Sequence, residues 1–146
     1  LDALDEVART AALLGTPDVR IVAGARVKHM TPSMNDVLGA SFEQVRASLG
    51  RQKSRVLHAA DPRPVEQVWP RLRHHDDLDL TVHAHGAAFA GTRIDAGTRL
   101  LLGQLDRLAD TDGTVVDLGC GTGVLAAVLA RRFVDVVAIE SEGWQG

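Results

Sequence analysis

The stretch VVDLGCGTG, Val115 to Gly123, followed at once by VLAAVLARR, decides the fold class. A β-branched apolar run, three glycines at alternate positions and an apolar-periodic segment predict a buried strand, a tight turn and a helix. VDVVAIE, at 134–140, reads as the next strand, and a crossover of this length implies two parallel strands with the helix packed across them. The fold class is therefore α/β. Parallel strands need neighbours and two covered faces, and with twenty-three residues after Gly123 the sequence supplies only the first two strands of such a sheet.

A triphosphate-binding loop would need GxxxxGK and then Ser or Thr, and no lysine occurs after Lys53. The dinucleotide fingerprint GxGxxG is missed as well, because Val124 stands where its third glycine belongs. A nicotinamide oxidoreductase is thus the weaker reading. Glycines at 119 and 121 still let a ligand approach the backbone, and free N–H groups at the helix start favour a carboxylate or phosphate. Asp117, at the strand's end, is placed to accept from an ammonium group. Glu140, seventeen residues beyond Gly123, ends the next strand, where an acid can take both hydroxyls of a ribose. Acids in these two places suit a ligand with a cation, a carboxylate and a ribose, and S-adenosylmethionine has all three.

The pattern D-x-G-x-G-x-G from Asp117 to Gly123 resembles motif I of the class I S-adenosylmethionine-dependent methyltransferases. One helix upstream, HGAAFAGTRIDAGTRLLL at 85–102 resembles the F-x-x-x-x-I/L-D-x-G-T/S-x-x-L-L segment of the guanine-N2 methyltransferases that modify small- and large-subunit ribosomal RNA. The resemblance implies a Rossmann-like catalytic domain, here with an incomplete parallel sheet, preceded by part of a degenerate methyltransferase-like domain. Residues 1–70 would be the later part of the degenerate domain, and 71–146 the start of the catalytic one. It also implies methyl transfer from S-adenosylmethionine to a base amine, with ribosomal RNA as partner. Carried over by position, Asp117, Gly119, Gly121 and Gly123 would line the cofactor pocket, with Glu140 on the ribose. Phe89, Thr92, Asp95, Gly97 and Thr98 would border the cofactor or target-base entrance. Asp95, Gly97 and Thr98 also read as an ordinary helix start, with Asp95 as cap.

Members of that family hold the target base with an Asn/Asp-Pro-Pro-Phe/Tyr loop after their fourth strand. The only asparagine here is Asn35, tyrosine is absent and no Pro-Pro occurs, so no catalytic residue is named. SEGWQG, at 141–146, also departs from the family, where helix-forming residues follow the acid. The expectation is a truncated enzyme with little activity of its own; the alternative is a non-catalytic, RNA-binding remnant. The chain begins with Leu1, which suits a processed product or a fragment.

Composition is globular, 45% hydrophobic and 24% charged, with no apolar run near the eighteen residues that span a bilayer and no signal-peptide layout. A cytoplasmic protein is expected. The single Cys120 excludes an intrachain disulfide and any multi-cysteine zinc site, and no metal is expected. His83 and His85 share a strand face near His74, His75, Asp76 and Asp77, but solvated histidines are the commoner meaning. Cys120 lacks a placed histidine partner and is not read as a nucleophile. Net charge is −3, divided into +3 through His75 and −6 from Asp76 onward. Arg51, Lys53 and Arg55 can touch phosphates, although a solvated basic turn is more usual; Trp69 can stack on a base, although beside Pro70 it more often packs at a domain edge.

Elsewhere the periodicity predicts helices over 2–14, from Thr31 or Ser33 to Gly50, over 96–110 and from 124 to about 132. Strands are expected in VRIVAGARV, ending near Gly24, in RVLHAA, in LDLTVHAHG and at 114–118. DPRPVEQVWP is the linker candidate, LRHHDDL reads as loop, and AAFAGTRID as a second strand or an extended loop.

Overall fold

The computed structural model describes residues 1–141, so the expectation for SEGWQG lies, from Glu142 on, outside the described residues. The chain divides into two compact units, Leu1–Trp69 with His85–Ala87, and Pro70–Ala84 with the residues from Ala88 onward. The second unit thus begins at Pro70, the last residue of the proline-rich DPRPVEQVWP.

In the first unit, α1 (Asp2–Leu14) places Leu4, Ala8, Ala11 and Ala12 at helical spacing toward the core. It stops at Gly15, where a Cβ would lie 2.5 Å from the Ala11 carbonyl oxygen. β1 (Ile21–Arg26), β2 (Phe42–Ala47) and β3 (Ser54–Pro62) form an antiparallel sheet in the order β1-β3-β2. β1 alternates inward and outward and runs two residues past Gly24.

The helix expected from residue 31 to Gly50 is only α2 (Ser33–Gly39), and β2 takes its second half. Leu38, Phe42, Val45 and Leu49 have helical spacing, yet pairing Val45 with Ala59 and Ala47 with Leu57 supplies the backbone bonds of β2. Leu49, predicted inward, is 92% exposed. Neither Thr31 nor Ser33 caps α2; their hydroxyls bond each other at 2.7 Å. The core consists of Ala8, Leu38, Phe42, Leu57 and Ala59.

Trp69 is buried in this unit, its indole Nε1 donating to Asp5 Oδ2 at 2.9 Å, so it is not presented for stacking on a base. The chain comes back at His85–Ala87. Glu6 accepts there from His85 Nδ1 at 2.5 Å and from Gly86 N at 2.7 Å. Burial alone would raise the Glu6 carboxyl, but these bonds more than reverse it and hold it below its ordinary value. A Cβ on Gly86 would lie 2.4 Å from the Asp2 carbonyl oxygen, so only glycine fits.

The second unit opens with an antiparallel hairpin, β4 (Arg71–His75) and β5 (Leu80–Ala84). β4 replaces the loop read in LRHHDDL; its polar residues pair with β5, and its last residue, His75, is buried. AAFAGTRID forms turns rather than a strand. α3 (Ala96–Leu102) ends at Gly103, eight residues short of the predicted end, and one 3-10 turn follows at Leu105–Arg107. Glycine's helix cost outweighs the continuing leucine pattern there. β6 (Val115–Leu118), α4 (Val124–Leu129) and β7 (Val136–Ile139) form the predicted parallel β-α-β unit, in register Val115 with Val136 through Leu118 with Ile139.

Two arginines after α4 hold the surrounding chain. Arg131 donates to the Leu78 and Asp79 carbonyls in the β4–β5 turn, and Arg132 to the Leu105 and Leu108 carbonyls and to Asp110. One face of β6 and β7 is buried at Asp117; on the other, Val116, Leu118, Val137 and Ile139 are exposed. Among the described residues no helix is long and apolar enough to cross a membrane.

Truncating Phe42 to Ala is expected to destabilise the first unit by about 3–5 kcal/mol, read from denaturant unfolding. Adjacent exposed apolar side chains favour association. Val116→Lys with Val137→Lys should therefore reduce self-association in sedimentation velocity; an unchanged distribution would count against this face as the cause.

Candidate functional site

The site is built where β6 gives way to α4. Gly119, Gly121 and Gly123 have φ of +77°, +53° and +76°, the left-handed region that an L side chain enters at about 1–2 kcal/mol. A Cβ on any of them would meet nothing within 4 Å. Backbone conformation, not crowding, therefore demands glycine, and the outer surface of the loop is left open.

Hydrogen bonds fix the loop from behind. The Ile139 carbonyl accepts from both Gly119 N, at 2.7 Å, and Cys120 N, at 3.1 Å, which ties the turn to the end of β7. Glu140 Oε2 accepts from Gly121 N at 2.6 Å, and Gly123 N donates to the Cys120 carbonyl at 2.8 Å. Asp117 is buried, and its Oδ2 accepts from Ala126 N in α4 at 2.9 Å. Among the described residues, the amides of Thr122, Val124 and Leu125 have no protein acceptor, and Asp117 Oδ1 receives no hydrogen bond.

A cavity of about 340 Å³ opens over this turn, within the usual range for small-molecule sites. Of the residues expected there, Asp117, Gly119 and Gly121 line it from the loop side. Phe89, Asp95, Gly97 and Thr98 line it from the segment before α3. Gly123 and Glu140 flank it, the first as the residue preceding α4 and the second through its bond to the loop. Thr92 is not among the lining residues; its carbonyl accepts from the buried His75 Nε2 at 2.8 Å. Leu101, Leu118 and Leu125 add an apolar wall.

Asp95 unites the two sequence readings. Its Oδ1 accepts from Gly97 N and Thr98 N, its Oδ2 from Thr98 Oγ, and it borders the cavity while capping α3. The bond from the Thr98 hydroxyl, then that from its amide, hold the Asp95 carboxyl below the usual range. His75, Arg131 and Arg132 position the segments around the site, and sequence reading missed all three. Apart from the Arg132 pair with Asp110, their partners are backbone carbonyls, which leave no trace in residue types. Among the described residues no group of three or more His, Cys, Asp or Glu is placed to hold a metal ion.

Residues 79–142 match the family described as Methyltransferase small domain, and residues 1–63 that described as RLMG N-terminal domain. The chain thus resembles the class I methyltransferases in its second matched segment and a methyltransferase's N-terminal domain in its first. It is 38% identical over 117 residues to ribosomal RNA large subunit methyltransferase G of Pseudomonas savastanoi pv. phaseolicola, covering 78% of this chain and 31% of that protein. The enzyme of the same name from Aeromonas hydrophila is 30% identical over 133 residues, covering 84% of this chain and 33% of the relative. The chain thus spans about a third of the length of the curated relatives it matches. A T. thermophilus 16S rRNA N2 methyltransferase, solved with AdoMet and guanosine, superposes with a TM-score of 0.69 at 22% identity, over 93% of this chain and 39% of that one. The fold is accordingly the α/β, Rossmann-like fold of class I methyltransferases, a family whose cofactor is S-adenosylmethionine.

Because the folded-state pKa of Asp95 is depressed, its contribution to stability is present above the unfolded-state value and is lost as pH falls through the folded one. Asp95→Asn should remove that acid-side loss from the pH dependence of the melting temperature of the second unit; an identical pH profile would show the cap to be inert.

Proposed function

We propose that this chain holds S-adenosylmethionine for a methyltransferase that modifies the exocyclic N2 amine of guanine in ribosomal RNA. The single observation that carries this reading is the glycine turn itself. It presents three amides without acceptors among the described residues between two carboxylates, Asp117 and Glu140, that stand at the ends of adjacent parallel strands.

The residues fit that cofactor. Asp117 Oδ1 accepts from its ammonium group, while Oδ2 keeps the bond to α4. The amides of Thr122, Val124 and Leu125 face a carboxylate. Glu140 keeps one oxygen on Gly121 N and offers the other to the ribose hydroxyls. Asp95, Gly97, Thr98 and Phe89 form the opposite rim. Bound S-adenosylmethionine supplies an electrophilic methyl group. The chain's own residues orient it and exclude water along the wall of Leu101 and Leu125.

In this reading residues 1–70 belong to a degenerate methyltransferase-like domain and 71–146 to the beginning of the catalytic one. No Asn/Asp-Pro-Pro-Phe/Tyr sequence occurs in the 146 residues, so holding of the target base is not assigned here. A second reading is a chain that binds RNA and cofactor without transferring a methyl group.

Calorimetry is expected to show S-adenosylmethionine binding that Glu140→Ala weakens by about tenfold, the equivalent of one charge-assisted hydrogen bond. Tight NADH binding in its place would overturn the assignment. Methyl transfer by this chain to ribosomal RNA would overturn the second reading and leave the first.

A further inference from the structure

We infer that one end of the β1-β3-β2 sheet is a docking surface for the sugar-phosphate backbone of RNA. The inference rests on the proposed RNA substrate but concerns the first unit, away from the glycine turn in sequence.

The sequence around this sheet contains two long acid-free stretches. From Val19 to Asn35 and from Gln44 to Ala60 there is no Asp or Glu, against seven Lys or Arg. Topology brings the basic residues together. β1 ends at Arg26, which pairs with Ser54, and Val27 N donates to the Lys53 carbonyl at 2.8 Å. The 3-10 turn Val27–His29 is thereby held beside the β2–β3 turn. Arg26 and Lys28 then share one end of the sheet with Arg51, Lys53 and Arg55. All five are exposed, and none forms an ion pair among the described residues. A cluster of this kind repels itself unless a polyanion lies on it.

The turn supplies a second, independent observation. Arg51 and Ser54 exchange backbone bonds at 2.8 and 2.9 Å, and the two residues between them, Gln52 and Lys53, have φ of +50° and +62°. A two-residue turn of this type favours Asn-Gly, which enters the left-handed region without strain. Here a glutamine and a lysine occupy it, a local penalty in the turn between β2 and β3. Long polar side chains stand where glycine would be less strained.

The basic surface continues along the open face of the sheet. Val22, His58 and Arg46 stand in register across the three strands, and with Arg20 they line a hollow of about 270 Å³. Arginines and a histidine on a rigid sheet suit phosphates rather than base edges, with Asp18 near Arg20 and Asp61 on Gln44 as the acids at the margin.

The test is fluorescence anisotropy of a short labelled RNA hairpin against the 146-residue chain at several salt concentrations, with Arg51→Ser/Lys53→Gly as the variant. Glycine at 53 relieves the left-handed strain, so the variant's melting temperature should equal or exceed the parent's. Affinity at low salt is expected to fall roughly tenfold, and the slope of log K against log salt to become shallower by about 1.5–2. Arg107→Ser, which removes an exposed cation from the second unit, should change neither. The proposal fails if the parent does not bind the hairpin, if the double variant binds it as well as the parent, or if Arg107→Ser produces the same loss. It fails equally if the parent binds phosphatidylserine–phosphatidylcholine vesicles and not RNA. S-adenosylmethionine titration of the unaltered chain is read separately, so failure of the cofactor assignment is a different result.

Discussion

The second unit depends on a buried carboxylate. Asp117 sits at the end of a strand only four residues long and reaches across the glycine turn to the Ala126 amide of a helix only six residues long. Neither element is long enough to persist by its own propensity. The bond fixes the distance between them and thereby the shape of the turn that lies between. A buried acceptor that lost its donor would be left with its full desolvation penalty, so this contact is formed or the local structure is not. Ile139 closes the other side, its carbonyl collecting two consecutive amides of the turn. Among the described residues the amides at Thr122, Val124 and Leu125 stay open, while the Ile139 and Cys120 carbonyls and Glu140 Oε2 are taken by Gly119, Cys120, Gly121 and Gly123.

The parts of the chain that local sequence determines were legible before the structure. VVDLGCGTG needs only its own residues to become strand, turn and helix start, and VDVVAIE follows as the parallel partner. The failures lie where distant pairing overrules local spacing. Phe42, Val45 and Leu49 satisfy a helical period, but β3 offers Phe42 and Val45 a ladder of hydrogen bonds that a sequence pattern does not display. LRHHDDL looks solvated because its residues are polar; the Thr92 carbonyl, seventeen residues beyond His75, makes burial of that histidine affordable. α3 was overextended because leucines continue past Gly103 while the helix does not.

At the site, the same division applies to single residues. The three glycines and Asp117 were recognisable because their chemistry is carried by residue type. Asp95 and Thr98 admitted two readings, cap and cavity rim, and the geometry makes one bond set serve both. Arg131 and Arg132 escaped notice because arginine pairs at a helix end usually face solvent, whereas these two bind four backbone carbonyls between them.

The return of His85–Ala87 to the first unit affects how the chain can be made and divided. Glu6 obtains two of its hydrogen bonds from residues that follow the β4–β5 hairpin. A nascent chain therefore completes its first unit only after the 15 residues Pro70–Ala84 and then His85–Ala87 have emerged. A cut at the proline-rich segment would leave α1 with an unsatisfied carboxylate, and the hairpin is in this sense an insertion that delays closure of the unit before it.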